Sequence, residues 1–225
     1  MVDKLTVERF VVDTFLSNAY LVYSGNSLKE HKAIAIDPNI SEKLKDRNKS
    51  LGINSLLIIL THEHFDHTTG VNGLQEEFDC EVLCQKNCAD KVATKRNNRS
   101  LSIMSAEADI RKYMHYPPYE IKTDLSFDDE LNFQWYGYTL HLVHTPGHAK
   151  GACSIEIDDL VFVGDNLLPD IPVITRFPGG SQEEYEQITL PYLRTILQDR
   201  TIYPGHGDSF KKTDVTEKDG YFITK

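Results

Sequence analysis

Short apolar runs bounded by Gly, Pro, Asn, Asp or Ser punctuate this 225-residue chain. In the first half Leu5–Val12, Ala19–Tyr23, Ala33–Ile36, Leu56–Leu60 and Glu81–Cys84 have the length and the β-branched or aromatic content of strands. In the second half Leu131–Trp135, Tyr138–Val143, Ala152–Ile157, Leu160–Val163 and Thr201–Tyr203 read the same way. The run Leu56-Leu57-Ile58-Ile59-Leu60 is apolar without alternation, the pattern of a strand buried on both faces. Ser17-Asn18, Gly137 and the pair Asp158-Asp159 supply turns between neighbouring strands, and the first of these is placed to border a cleft.

Helical patterns fill the intervals. Ser41 caps a polar helix to Ser50, with Leu44 its main apolar residue. Gly70–Phe78 places Val71, Leu74 and Phe78 on one face. Ser181-Gln182-Glu183-Glu184 has the capping-box pattern. It opens an amphipathic helix through Tyr185, Ile188, Tyr192, Leu193, Ile196 and Leu197, with Pro191 as a kink point. Residues 85–124 read as a helical insertion, with helices over Asn87–Lys95 and Ser105–Met114 before the rigid break Tyr116-Pro117-Pro118-Tyr119. That insertion either caps a cleft or lies at the edge; His115 within it reads as a surface or packing residue. Pro169–Pro178 is a loop, and the tail from Lys211 is polar and reads as partly loose. Neither repeats nor a linker divides the chain, so residues 1–225 read as one domain, of a two-sheet or α/β kind.

Composition narrows the function. At 40% hydrophobic and 26% charged residues the chain is an ordinary globular protein. A formal net charge of −10 opposes non-specific binding to long nucleic acid, which depends on phosphate neutralisation by Lys and Arg. No apolar run approaches the about 20 residues of a membrane helix. The charged start (Asp3, Lys4, Glu8, Arg9, Asp13) has no signal-peptide core, and a cytoplasmic location is expected. Cys80, Cys84, Cys88 and Cys153 then read as reduced thiols. The partner is a small-molecule substrate; the oligomeric state is not written in the sequence.

The chemistry is concentrated after the buried strand. His62-Glu63-His64-Phe65-Asp66-His67 places four metal-type side chains within six residues. By chance that spacing arises in roughly one such chain in a thousand. The same residue types recur at later strand ends: His148 in Thr145-Pro146-Gly147-His148, Asp165 in Gly164-Asp165, and His206 in Pro204-Gly205-His206-Gly207. Ligands converging from several strand ends are what a metal site requires.

This order of motifs resembles the metallo-β-lactamase superfamily, and within it the glyoxalase II-like branch, over nearly the whole chain up to His206. The resemblance implies the α+β class, an αββα sandwich of two mixed β-sheets with flanking helices and the metals at one end. It implies two divalent ions, zinc first, with iron or manganese also suited to imidazole-rich ligation. His62, His64 and His148 would hold the first, Asp66, His67 and His206 the second, and Asp165 would bridge them. A hydroxide shared by the ions would then attack a thioester, ester or lactone carbonyl of a small molecule, with Asp66 and Asp165 as the catalytic carboxylates. Asp37, in Asp37-Pro38-Asn39, resembles the family's supporting residue behind the metal loop, or is a plain turn residue. Asn39 stands where the family shows Gly, and Asn tolerates the same left-handed backbone. Arg176 reads as a grip for a substrate carboxylate or phosphate, or as a surface residue.

Other readings stay open at this stage. One is an iron-dependent oxidoreductase resembling the persulfide dioxygenases, which use only the first-site ligands and the bridging carboxylate. Another is a phosphodiesterase for small substrates. Glyoxalase II itself carries a C-terminal helical domain, for which the 19 residues after His206 leave no room.

Overall fold

The computed structural model describes residues 3–12, 15–39, 42–95, 118–196, 200–218 and 220–224. Among them the strands gather into two six-stranded sheets and a separate hairpin. The first sheet runs in sequence order: β1 (Thr6–Val11), β2 (Asn18–Tyr23), β3 (Lys32–Ile36), β4 (Ser55–Leu60), β5 (Asp79–Gln85) and β6 (Leu125–Phe127). Its first three strands are antiparallel and the rest parallel. The second sheet contains β7 (Glu130–Trp135), β8 (Tyr138–His144), β9 (Cys153–Ile157), β10 (Leu160–Gly164), β11 (Thr201–Pro204) and β12 (Phe210–Lys211). Here β10 and β11 are parallel and the other pairs antiparallel.

The apolar pattern of β4 explains the layering. Leu56, Ile58 and Leu60 pack outward against Leu44, Val71, Leu74 and Val92, which belong to helices over Glu42–Ser50, Val71–Gln75 and Lys86–Val92. Leu57 and Ile59 face the other way, toward Leu140, Ile155 and Phe162 of the second sheet. The outer face of that sheet is covered by Tyr185, Leu190, Leu193 and Ile196. The result is the expected αββα sandwich of two mixed sheets.

Turn chemistry behaves as read. Tyr136 (φ 47°) and Gly137 (φ 90°) form the two-residue left-handed turn between the paired residues Trp135 and Tyr138. The Ser181 hydroxyl accepts the Glu184 amide at 3.2 Å and starts the late helix.

Three expectations need correction. The late helix contains a π-helical turn, Tyr185–Thr189, before the helix Leu190–Ile196. The extra residue per turn breaks the 3.6-residue period, so Ile188 is exposed while Thr189 is buried. This turn stands just ahead of Pro191, which has no amide to donate. Second, the tail is not loose: β13 (Val215–Lys218) and β14 (Tyr221–Thr224) form a hairpin whose Val215 and Phe222 join the outer core. Third, the positive φ in Asp37-Pro38-Asn39 falls on Asp37 (48°), and Asn39 instead serves through its side chain. The proposed helix Ser105–Met114 and His115 lie outside the described residues. Tyr119, from the end of that segment, packs its hydroxyl 2.7 Å from Thr68 Oγ1.

Candidate metal centre

The ligand loops all leave the same end of the sandwich, the end to which the parallel strands β4, β10 and β11 point. His62 follows Thr61 at the end of β4. His64 caps, and Asp66 and His67 lie within, the single helical turn Phe65–Thr68. His148 sits between β8 and β9, Asp165 directly after β10, and His206 after β11.

The seven side chains converge. His62, His64 and His148 offer ligand atoms all within 4.8 Å of one another, as do Asp66, His67 and His206. His64 Nδ1 and His148 Nε2 face each other at 2.9 Å. Asp165 stands between the two groups. Its Oδ1 is 3.5 Å from His67 Nε2, and its Oδ2 is 3.5 Å from both His148 Nε2 and His206 Nε2. Asp66 Oδ2 lies 3.4 Å from His206 Nε2.

The protein occupies the outward nitrogens. His148 Nδ1 donates to the Ile174 carbonyl at 2.9 Å and His206 Nδ1 to the Leu16 carbonyl at 3.1 Å. The Thr61 hydroxyl donates to Asp37 Oδ2 at 2.5 Å, so it accepts from His62 Nδ1 at 3.0 Å. These bonds take up the Nδ1 hydrogens and leave the Nε2 atoms of all three rings facing the centre. Asp37 Oδ1 also accepts the Thr61 amide at 2.7 Å, and Oδ2 lies 3.3 Å from His67 Nδ1. Asp37 is therefore placed behind the ligand loop, with both oxygens engaged there.

Burial and charge split the histidines into two kinds. Burial pushes His62, His64 and His148 below the usual imidazole range, His64 to about 3, so all three are neutral and able to ligate. Burial acts in the same sense on His67 and His206, but Asp66 and Asp165 outweigh it. They raise His67 to about 9 and His206 to about 11. Burial in turn pushes both carboxyls up, yet the facing histidines hold Asp66 and Asp165 below the ordinary carboxylate value.

The residues present fit divalent metal ions. His62 Nε2, His67 Nε2, Asp66 Oδ1 and Asp165 Oδ1 are buried with no hydrogen-bond partner, although they sit within a few ångströms of one another. Such groups are rarely left unsatisfied in a folded protein. Imidazole and carboxylate together are a ligand set for zinc, iron or manganese.

Arg176 lies on the rim of an open cleft of about 730 Å³ whose floor includes His64, Asp66, His148, Asp165 and His206. It is exposed and makes no ion pair among the described residues. Several supporting residues carried no signal in the sequence. The Ser17 hydroxyl donates to the Asp66 carbonyl at 2.7 Å, and Asn39 Nδ2 donates to the Ser17 carbonyl at 2.9 Å. Asn18 Nδ2 donates to the carbonyls of Pro204 and Gly207, on either side of His206. Glu63, buried between two ligands in sequence, accepts the Gly151 amide at 3.1 Å and so ties the His62–His67 loop to the loop of His148. Only the position of Ser17-Asn18 in a predicted turn hinted at any of this.

Comparison with known proteins agrees with this geometry. A probable metallo-hydrolase of Bacillus subtilis (strain 168), YqgX, is 29% identical over 215 residues, covering 94% of this chain and 93% of the relative. Among solved structures, the BLEG-1 B3 metallo-beta-lactamase superposes with a TM-score of 0.75 at 23% identity, over 92% of this chain and 94% of that one. TTHA1623 in a di-iron-bound form superposes with a TM-score of 0.72 at 23% identity, over 91% and 94%. The family profile of the metallo-beta-lactamase superfamily matches residues 12–206, a span that holds every one of the seven converging side chains, and the chain belongs to that superfamily of hydrolases.

Proposed function

We propose that this protein is a dinuclear metal-dependent hydrolase that cleaves a thioester, ester or lactone bond of a small molecule. The observation that carries this reading is the position of Asp165, whose two carboxylate oxygens face both ligand groups at 3.5 Å. Bound divalent ions supply Lewis acidity, lowering the pKa of a water from about 16 to about 7 and polarising a carbonyl. His62, His64 and His148 would hold one ion, Asp66, His67 and His206 the other, and Asp165 would contact both. Zinc suits these ligands best, with iron the nearest alternative given the di-iron form of a similar fold.

The chain's own groups then act on the substrate. Asp66 has Oδ1 unpaired and buried beside the ligand nitrogens, which places a proton acceptor and orienting group next to the attacking water. Arg176 at the rim grips an anionic group of the substrate. Water adds at the carbonyl carbon, the acyl–sulfur or acyl–oxygen bond breaks, and a carboxylic acid and a thiol or alcohol leave. The glyoxalase II-like motif order supports the thioester end of this range. We place the protein in the cytoplasm and without long nucleic acid as partner, in keeping with its charge; no helix among the described residues is long and apolar enough to cross a membrane.

The test is metal content per chain, together with turnover of a thioester, a lactone and a phosphodiester. Two metals per chain, with thioester or lactone hydrolysis lost in Asp165→Ala, is the expected result. A single iron per chain with oxygen uptake on a persulfide overturns it in favour of the dioxygenase reading. Turnover of the phosphodiester alone moves the protein to that class.

A further inference from the structure

Among the described residues five large apolar side chains stand exposed, and three of them, Val11 (37%), Leu16 (62%) and Ile171 (49%), line the cleft that opens onto the ligand cluster. The cluster's immediate neighbours are apolar as well. The Phe177 ring stands edge-on to His64 and His148, with centroids 5.8 and 6.1 Å apart. Leu168 and Ile174 continue the same wall. Of the two rim arginines, the Arg9 guanidinium is taken up by the Gly207 carbonyl and by Asp208 at 2.7 Å, and Arg176 is the cation left to face the cleft mouth.

Leu16 is the most informative of these residues. Its φ of 57° lies in the left-handed region, where a bulky side chain is costly and Gly or Asn is the usual occupant. The backbone turn has a purpose, because it presents the Leu16 carbonyl to His206 Nδ1. A glycine would serve that purpose with less strain. The leucine gains little from burial, being the most exposed large hydrophobic described. Leu16 lines the cleft, and its carbonyl places it beside His206.

We propose that the cleft receives an unbranched hydrocarbon chain attached to the scissile carbonyl, so that the substrate is a medium-chain acyl ester or thioester. Apolar surface begins beside both ligand groups, Phe177 at one and Leu16 at the other, and a chain starting between them meets hydrocarbon at once. The exposed Leu16, Val11 and Ile171 are covered when the chain is in place. This inference rests on the hydrolase reading of the ligand cluster.

The test is calorimetric binding of n-alkanoates, acetate to decanoate, to the metal-loaded and the metal-stripped protein. Affinity is expected to rise about fourfold for each methylene buried, until the chain clears the rim. Leu16→Ser and Ile171→Ser flatten that dependence. Leu16→Gly lowers octanoate affinity about tenfold while leaving Tm unchanged or higher, the opposite of what a purely structural leucine would do. A parallel turnover series compares thioesters lengthened on the acyl side with acetyl thioesters lengthened on the thiol side. A flat alkanoate series, or a chain-length effect confined to the thiol side, overturns the inference even where thioesters are hydrolysed. A steep alkanoate series without turnover of any ester leaves the chain-binding cleft standing and removes the hydrolase reading instead.

Discussion

Gly205 stands so close to Asp165 that a Cβ placed on it would meet the carboxylate Oδ1 at 2.0 Å and the His67 ring at 2.9 Å. The Asp165 carboxylate therefore owes its position between the two groups to a residue with no side chain, one place before His206. Gly205→Ala is expected to push Asp165 out of the space between the two ligand groups. Metal analysis should show fewer than two ions per chain, with activity down by about a hundredfold or more, since misplacement of about 1 Å costs that much in other sites. Circular dichroism should show the fold retained. Full metal content with normal activity would mean that Asp165 does not bridge.

Metal uptake should be strongly pH-dependent. In the metal-free protein His67 and His206 are charged at neutral pH, with pKa values raised to about 9 and about 11 by Asp66 and Asp165. Both must lose a proton to ligate, so apparent affinity should rise with pH, by up to about tenfold per pH unit for each proton released. Competition against a chelator between pH 6 and pH 8.5 measures this slope; a flat profile contradicts it.

Stability of the metal-free protein carries the opposite sign. A histidine whose pKa is higher folded than unfolded stabilises the fold fully below its unfolded value and loses that effect as pH rises through the folded value. His67 is raised from 6.5 to about 9, so the Tm of metal-free protein should fall as pH climbs from 7 to 10. The metal-loaded protein, whose His67 is already deprotonated, should not show this decline. Parallel thermal melts of both forms make the comparison.

The Thr61 hydroxyl is the link between Asp37 and His62. Thr61→Val keeps the shape and removes the link, leaving a buried carboxylate oxygen and an imidazole N–H short of a partner. The expected loss is about 1–3 kcal/mol in chemical denaturation, and a metal affinity weaker by about 10–100-fold. Thr61→Ser should restore both.

Glu63 carries a cost as well as a benefit. Burial raises its carboxyl above the ordinary value, so the charged form is disfavoured, while Oε2 accepts the Gly151 amide. Glu63→Gln keeps an acceptor and removes the charge, and should leave stability unchanged or slightly higher at pH 8. Glu63→Ala leaves the amide unpaired and should cost about 1–3 kcal/mol. Equal losses in the two variants would show that the charge itself is required.

The sequence alone determined the elements whose periods are strong and the residues whose chemistry is rare. The uninterrupted apolar run of β4 has the length and composition of a strand covered on both faces, and the histidines with aspartates at successive strand ends carry the resemblance that implies the sandwich. The weaker determinations failed where local pattern competes with packing. Ile188 was placed inward by a helical period that a π-turn ahead of Pro191 interrupts. The tail hairpin was missed because Val215 starts a polar strand, and the packing of Val215 and Phe222 into the outer core is a long-range contact. Tertiary structure alone decided the second layer around the ligands. Ser17, Asn18, Asn39 and Thr61 are ordinary turn and strand-end residues until folding brings carbonyls from more than 180 positions away into reach of Asn18. The side chain of Leu16 likewise has no meaning in one dimension. Its exposure, its left-handed backbone and its carbonyl contact with His206 are properties of distance and direction, which a linear pattern of apolar and polar letters does not contain.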